Sequence, residues 1–188
     1  GAQGFGYTME LRPQHYKSIV DLMKRRVNPG FYNLVTACYH IADNFHKLHS
    51  RGNCYRDISF GNAFFDPKNG DVLICDNDNV TTDGSTDVGV LGTPRFMAPE
   101  IVTGEAKPST NSDLFSLGIL LFYMLHISHP LEGKLEADIK CFDVPAQNRL
   151  YGENPIFIFD EINKSNFPVK GYQDNALIFW NIYPKFIK

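Results

Sequence analysis

Three positions in the middle of the chain carry carboxylate or amide side chains of the kind that do chemistry. Asp57 is followed by Asn62, and Asp76 comes directly after an apolar run. A carboxylate on a short loop can orient a hydroxyl group and accept its proton. Carboxylate and amide oxygens are also the ligands that Mg²⁺ prefers in proteins. The question is therefore which elements bring these side chains together.

Taken alone, each of these motifs has other interpretations. An Arg-Asp pair in a loop, such as Arg56-Asp57, is commonly a surface ion pair. The run Asp76-Asn77-Asp78 could be a calcium loop or the D-x-D of a nucleotide-sugar transferase. Val80 and Thr81 then occupy the positions where a calcium loop needs an oxygen ligand and a glycine, which argues against calcium.

Hydrophobic periodicity predicts the elements that position these residues. One helix is expected from Tyr16 to Met23, and a second carries an apolar stripe from Leu34 to Leu48. Residues 112–127 are apolar nearly all round, which predicts a helix buried on every side. A weaker pattern predicts a strand at 156–159 and a terminal helix from 176.

A hairpin is predicted between the second and third helices. Residues 62–65 and 72–75 have the character of strands, and the turn-forming residues 66–70 join them. This hairpin would bring Asn62 and Asp76 to one end of the strand pair. Residues 76–100 have no periodicity and predict a long loop, which in a compact domain is usually functional or disordered.

Composition excludes several functional classes. The 188 residues are 43% hydrophobic, enough for a sizeable core, and 18 basic against 21 acidic residues give a formal charge of −3. This balance argues against nucleic acid as a partner. The longest apolar stretch, 114–125, is shorter than the roughly 20 residues that cross a bilayer. No signal peptide is visible, so we expect no membrane partner and a cytoplasmic location.

The four cysteines fit the same location. Cys38, Cys54, Cys75 and Cys141 include no C-x-x-C pair, and several lie in apolar runs. We expect four buried, reduced thiols.

The motifs, in their order, carry a resemblance to a known family. Tyr55-Arg56-Asp57 with Asn62 is followed by Asp76-Asn77-Asp78 and then by a stretch reading GTPRFMAPE. This resembles the C-terminal lobe of eukaryotic-type Ser/Thr protein kinases, with their H-R-D-x-x-x-x-N, D-F-G and A-P-E motifs. The resemblance extends from about Tyr7 to His129. It implies an α+β, protein kinase-like C-lobe, mainly α-helical with a small β-hairpin at the active site, in a divergent bacterial-type member.

The resemblance also implies a reaction and its residues. The parent protein would transfer the γ-phosphate of ATP to a protein Ser or Thr, with Mg²⁺ as the metal. Asp57 would orient the acceptor hydroxyl, and Thr93 would pack beside it and shape the acceptor site. Asn62 and Asp76 would hold the metal.

Other positions take supporting roles by the same resemblance. The backbone of Glu10 and Arg12 would meet the edge of adenine, and Phe64 would lie under its ring or be an ordinary core residue. Three further residues would have structural and regulatory roles. Arg56 would touch the activation segment, Asp113 would hold the backbone of the catalytic loop, and Glu100 would complete the A-P-E motif.

The resemblance divides the chain and identifies what it lacks. Residues 1–11 would be the last small-lobe strand and the hinge, and 12–188 the large lobe, with an activation segment at 76–100 and a divergent part at 130–188. No glycine-rich loop, strand lysine or helix glutamate precedes Gly4. We therefore expect these residues to be a fragment that is inactive alone and whose missing partner is the N-terminal lobe.

Departures from the family pattern leave two alternatives open. Tyr55 replaces the histidine, Asn77-Asp78 replaces Phe-Gly, and Ser59 stands where Ser/Thr kinases usually have a lysine. Ser59 and Asp78 favour a pseudokinase that serves as a scaffold. The stretch DISFGN at 57–62 favours a small-molecule kinase of the aminoglycoside-phosphotransferase type.

Overall fold

The computed structural model describes residues 10–85 and 89–183. In chain order the elements are β1 Lys17–Ser18, α1 Ile19–Met23, α2 Phe31–His49, β2 Asn53–Cys54, β3 Ala63–Phe65, β4 Val72–Ile74, β5 Thr81–Thr82, α3 Pro99–Val102, α4 Thr110–His126, α5 Lys134–Ala137, α6 Val144–Gln147 and α7 Asp174–Ile182. Short 3₁₀ turns occur at Asn77–Asn79 and Lys164–Asn166, and a π-helical turn at Asn148–Glu153.

The two long helices, α2 and α4, form the centre of the core. The predicted stripe of α2 is buried from Leu34 to Phe45, and it packs against α4. Ser109 caps α4 in a reciprocal capping box with Ser112, which satisfies donors that a helix N-terminus otherwise leaves unpaired. The helix ends at Ile127, which adopts a left-handed conformation. Both helices were predicted within about three residues at each end.

The first helix is shorter than predicted because two of the residues expected in its first turn form strand β1 instead. Lys17 and Ser18 pair with Phe65 and Phe64, so the chain is extended where helix was expected. Ser18 then caps α1, accepting a hydrogen bond from the Asp21 amide. The predicted small-lobe strand up to Leu11 falls mostly outside the described residues, and its last two positions form no strand.

The hairpin is confirmed. Strands β3 and β4 are antiparallel, with Ala63 opposite Ile74 and Phe65 opposite Val72, and β1 extends this sheet on the β3 side. Part of the predicted loop after Asp76 is ordered as well, because β5 pairs with β2 and forms a second small sheet.

The part after α4 contains helical turns where no pattern was recognised. The predicted terminal helix is confirmed as α7, but the predicted strand at 156–159 is wrong. Ile158 donates its amide to the Pro130 carbonyl, and the buried Asn166 side chain donates to the Leu131 and Ile156 carbonyls. One isolated backbone hydrogen bond and the side-chain bonds of Asn166, instead of a strand partner, therefore hold this segment.

Two expectations about burial are wrong. Helix α4 is not buried all round, because Leu114 is 55% exposed on a face shared with Asn111 and Gly118. All four cysteines are free thiols, but only Cys38 and Cys54 are buried; Cys75 is half-buried and Cys141 exposed. Among the helices described, none has the length and apolar character that a bilayer crossing requires.

Candidate active site

Asp57 lies between two segments that the sequence separates widely. The Thr93 hydroxyl donates a 2.7 Å hydrogen bond to Asp57 Oδ1, and Asn62 Nδ2 donates to Oδ2 at 3.1 Å. The same Asn62 amide also donates to the Asp57 carbonyl, at 2.9 Å. Two residues that the sequence grouped with Asp57 as catalytic, Thr93 and Asn62, therefore both contact it, and the Asp57 carboxylate has a fixed orientation.

Asp113 holds the loop that carries Asp57. Its side chain is buried, 1% exposed, and accepts hydrogen bonds from the backbone amides of Tyr55 (2.6 Å) and Arg56 (2.9 Å). His49, at the end of α2, contacts the same carboxylate at 3.0 Å. One buried carboxylate thus ties α4, α2 and the loop before Asp57 together. The contribution of His49 was missed in the sequence.

The hairpin places Asp76 beside Asn62. The Cys75 amide donates to the Asn62 carbonyl at 2.9 Å. Asp76 directly follows Cys75, so this bond keeps it close to Asn62. The Tyr55 hydroxyl donates to the Cys75 carbonyl. Burial and the neighbouring Asp76 carboxylate raise the pKa of Tyr55 well above its usual range, so the hydroxyl remains a donor. Tyr55, at the family's histidine position, thus supports the backbone that presents Asp76.

The oxygen atoms at this end of the hairpin fit a divalent cation. Both hydrogen bonds of the Asn62 side chain use Nδ2, which leaves Oδ1 available. Asp76 has a left-handed backbone (φ 58°), and its Oδ2 accepts a 3.2 Å hydrogen bond from Asn79. Oxygen donors of this kind suit Mg²⁺. The described residues contain no cluster of three His, Cys, Asp or Glu side chains that could hold a metal without help, so further ligands would come from a nucleotide or water.

Arg56 contacts the segment that follows Asp76. Its Nε donates to the Asn79 carbonyl at 2.7 Å, and its backbone is left-handed (φ 73°). One terminal nitrogen, NH1, is buried without a hydrogen-bond partner among the described residues. A side chain at Gly89 would overlap this guanidinium, so the segment passes directly over Arg56.

The expected adenine side is defined by Phe64 and Arg12. The Arg12 guanidinium lies 4.2 Å from the centre of the Phe64 ring, and the ring is half-buried rather than part of the closed core. Glu10 is exposed at the edge of the described residues. Phe64 is thus a half-buried residue of strand β3 with Arg12 over its ring, while Glu10 makes no described hydrogen bond.

A network around the buried Glu132 carboxylate, which the sequence did not indicate, holds the GTPRFMAPE stretch. Arg95 donates two hydrogen bonds to the Glu132 carboxylate, through Nε at 2.7 Å and through NH2. Tyr151 donates to the same carboxylate at 2.5 Å, and Arg95 also donates to the Tyr123 hydroxyl at 2.8 Å. Glu132 is 7% exposed. Because the two residues that donate to Glu132 are 37 and 19 positions away in the chain, no spacing pattern could have revealed them.

Aromatic rings connect this network with the loop of Asp57. Phe60 lies edge-to-face against Phe96 and Tyr123, with ring centres 4.8 and 4.5 Å apart. Glu100, in contrast, makes no side-chain hydrogen bond or ion pair with the residues that the structure describes; its carbonyl accepts the Ala106 amide. Among the described residues, the GTPRFMAPE stretch makes an ion pair through Arg95, with Glu132.

Comparison with known proteins finds sequence relatives among serine/threonine-protein kinases and protein kinase C. A probable serine/threonine-protein kinase of Zea mays, CCRP1, is 32% identical over 132 residues, 66% of this chain and 20% of that protein. The cell cycle serine/threonine-protein kinase CDC5/MSD2 of Saccharomyces cerevisiae is 30% identical over 162 residues, 76% of this chain and 22% of that protein. Protein kinase C delta type of Mus musculus is 32% identical over 126 residues, 63% of this chain and 18% of that protein. The chain thus spans about a fifth of the length of these relatives.

A solved structure resembles the chain as well. The yeast RNA Pol II CTD kinase CTDK-1 complex contains a chain that superposes with a TM-score of 0.56 at 17% identity, covering 71% of this chain and 42% of that one. At this identity the likeness shows the fold. The relatives named above come from a plant, a yeast and a mammal, so they lend no support to the predicted bacterial-type origin. The family model of the protein kinase domain matches residues 8–165, and the chain belongs to the protein kinase domain family.

Proposed function

We propose that these residues form the large lobe of a Ser/Thr protein kinase, whose parent protein transfers the γ-phosphate of ATP to a protein hydroxyl. The observation that carries this proposal is the fixed Asp57 carboxylate, held by Thr93 on one side and by Asn62 on the other. Phosphoryl transfer depends mostly on positioning and charge stabilisation, and this arrangement positions one carboxylate for an incoming hydroxyl.

The residues at the end of the hairpin would hold Mg²⁺ together with the nucleotide. Asn62 Oδ1 and the Asp76 carboxylate are the candidate ligands. The bound metal would neutralise negative charge on the phosphate oxygens. The role of the protein is to fix these two oxygens, through the backbone bond between Cys75 and Asn62 and through the Tyr55 hydroxyl.

Asp57 would act on the acceptor hydroxyl. In its ionised form the carboxylate accepts a hydrogen bond from the hydroxyl, aligns the oxygen with phosphorus and takes the proton as the new bond forms. The Thr93 hydroxyl keeps the carboxylate in one orientation while this occurs.

One observation favours a scaffold instead of an enzyme. Ser59, at the position of the family's lysine, is 6% exposed. It neither carries a positive charge nor faces solvent, so it cannot neutralise a transferred phosphate. A pseudokinase would keep the fold and lose transfer.

The decisive experiment compares transfer with and without Asp57. Two samples, the parent protein and residues 1–188 alone, would be incubated with radiolabelled ATP, Mg²⁺ and a mixed protein substrate. We expect label on protein with the longer form and a reduction of about 10²–10⁴-fold in Asp57→Asn, the usual range for a general base. Residues 1–188 alone should stay at background, because they contain no glycine-rich loop or strand lysine to bind the phosphates.

One control matches the Asp57 variant, and a second substrate tests the small-molecule alternative. Asp71→Asn changes an exposed carboxylate in the hairpin turn and should leave transfer unchanged. Kanamycin in place of protein tests the small-molecule kinase. Transfer that is equal in the folded Asp57→Asn protein would contradict the proposal, and the absence of transfer by a longer form that still binds ATP would favour the scaffold.

A further inference from the structure

A surface pocket of about 490 Å³ lies between α7 and the segment 158–167 that precedes it, and no residue of the candidate active site lines it. The volume is in the range of about 300–1,000 Å³ that is usual for small-molecule sites. Three aromatic rings line the pocket, one from α7 and two from the segment: Trp180, Phe159 and Phe167. The face of an aromatic ring attracts apolar groups and also cations.

Two of these rings are held in place by their neighbours. Phe159 and Trp180 are stacked, with ring centres 4.4 Å apart and planes within 5° of parallel. Phe157 lies edge-to-face against both, at 5.6 Å from Trp180 and 5.9 Å from Phe159. The stacked rings are half-buried, and Phe167 is 51% exposed. The pocket therefore presents positioned aromatic surface to a ligand.

Two carboxylates lie beside the rings. Asp160 and Glu161 line the pocket, and neither forms an ion pair with a described residue. Asp160 Oδ1 accepts the amides of Ile162 and Asn163 at 2.8 and 2.7 Å, which orients this side chain and leaves Oδ2 without a described partner. Lys164 also lines the pocket, so two negative charges face one positive charge and the lining is negative overall.

This combination favours an organic cation with an apolar surface. A primary ammonium group is compact and strongly hydrated, so it gives up water to approach a ring. A quaternary ammonium group has no N–H bond, and its methyl groups pack on aromatic rings while its charge is attracted to the ring faces and to nearby carboxylates. Ile162, which follows Glu161 directly, is 96% exposed and offers an apolar contact to a longer ligand.

We propose that this pocket binds the trimethylammonium group of a methylated lysine side chain in a partner protein. The methyl groups lie against Trp180 and Phe167, and the charge faces the two carboxylates. A protein is inferred as the source because a free small cation would leave Ile162 uncovered. The proposal does not depend on phosphoryl transfer, so it can be tested whether or not the parent protein is a kinase.

The test uses the fluorescence of the 188-residue chain, whose single tryptophan lines the pocket. N-acetyl-Nε-trimethyllysine amide should change the Trp180 emission saturably. Its neutral analogue, with a tert-butyl group in place of the trimethylammonium group, has the same shape without the charge and should bind about tenfold more weakly. N-acetyllysine amide should also bind more weakly, because its ammonium group is more strongly hydrated. Choline tests a free small molecule as the source.

Two charged residues of the pocket provide variants with opposite expected effects. Glu161→Gln should weaken binding about two- to fivefold, whereas Lys164→Gln removes the opposing charge and should strengthen binding by a similar factor. Both side chains are exposed, so neither change should affect folding. Phe167→Leu keeps an apolar side chain without the ring and should weaken binding about two- to fivefold. Glu105→Gln, at an exposed glutamate outside the pocket, is the matched control and should leave binding unchanged.

Five outcomes would overturn the proposal. The first three are no saturable change in Trp180 emission, equal binding of the trimethylammonium and tert-butyl compounds, and equal binding of the unmethylated lysine derivative. The fourth is a change of the same sign in Glu161→Gln and Lys164→Gln. The fifth is binding of choline as tight as that of the lysine derivative, which would assign the pocket to a free quaternary ammonium compound.

Discussion

The Thr93 hydroxyl donates a 2.7 Å hydrogen bond to Asp57 Oδ1, although the two residues are 36 positions apart in the chain. The bond joins the segment after the hairpin to the loop before it. Without this bond, Asn62 would be the remaining described side-chain partner of the Asp57 carboxylate, which would then rotate more freely. The order of the segment after Asp76 is thereby coupled to the orientation of Asp57.

Replacing Thr93 tests this coupling. Thr93→Val keeps the shape and removes the hydroxyl, whereas Thr93→Ser keeps the hydroxyl. If the parent protein transfers phosphate, Thr93→Val should lower kcat about tenfold or more, since a hydrogen bond to a charged group contributes roughly 1.5–3 kcal/mol. Thr93→Ser should retain most of the rate. Equal rates in the two variants, measured at saturating ATP, would show that the bond does not position Asp57.

Removing the Asp113 carboxylate should destabilise the fold. Asp113→Ala leaves the buried amides of Tyr55 and Arg56 without acceptors, at roughly 1–3 kcal/mol for each. Asp113→Asn keeps one acceptor oxygen and should lose less. Urea unfolding of residues 1–188, followed by circular dichroism, measures both. A loss below about 0.5 kcal/mol in the alanine variant, the range of ordinary surface substitutions, would contradict the anchoring role.

The Glu132 carboxylate should be needed for both stability and the shape of the GTPRFMAPE stretch. Glu132→Gln keeps the volume but removes the charge that Arg95 and Tyr151 share. Because half of the Arg95 side chain remains solvated, we expect a moderate loss, about 1–3 kcal/mol, below the cost of breaking a fully buried pair. Glu161→Gln, at an exposed glutamate, is the matched control. If both variants unfold at the same urea concentration, the network contributes nothing measurable.

Local patterns predicted what local interactions determine. The stripe of α2 and the turn between β3 and β4 were recognised because each depends on neighbouring residues. The pairing of Lys17 with Phe65 was missed because a two-residue strand exists only through its distant partner. The same reason explains why Asn62 and Asp76 were predicted together: they lie at one end of a single hairpin. Asp57 and Thr93 were assigned through the family resemblance, and the contacts of Glu132, which neither signal covers, were missed.

His129 should make stability depend on pH. The ring is 2% exposed; its Nδ1 accepts the Leu131 amide at 3.0 Å, and its Nε2 lies 2.8 Å from the Arg95 carbonyl. These partners require a neutral ring with the proton on Nε2. Burial lowers the pKa of His129 below its ordinary value of 6.5, although the nearby Glu132 opposes this. In the unfolded chain the ring has its ordinary pKa and is protonated at a higher pH.

The sign of the effect follows from this difference. Below about pH 6.5 the unfolded state binds a proton that the native state does not bind, so stability falls as the solution is acidified. The slope from His129 can reach at most about 1.4 kcal/mol per pH unit, the value for one proton. It should diminish once the pH passes below the native pKa. His129→Gln, which keeps a donor and an acceptor, should remove this slope, whereas replacement of the exposed His46 should not. Urea unfolding between pH 5 and pH 7.5 measures it, and an identical slope in the His129→Gln protein would show that this ring does not titrate with unfolding.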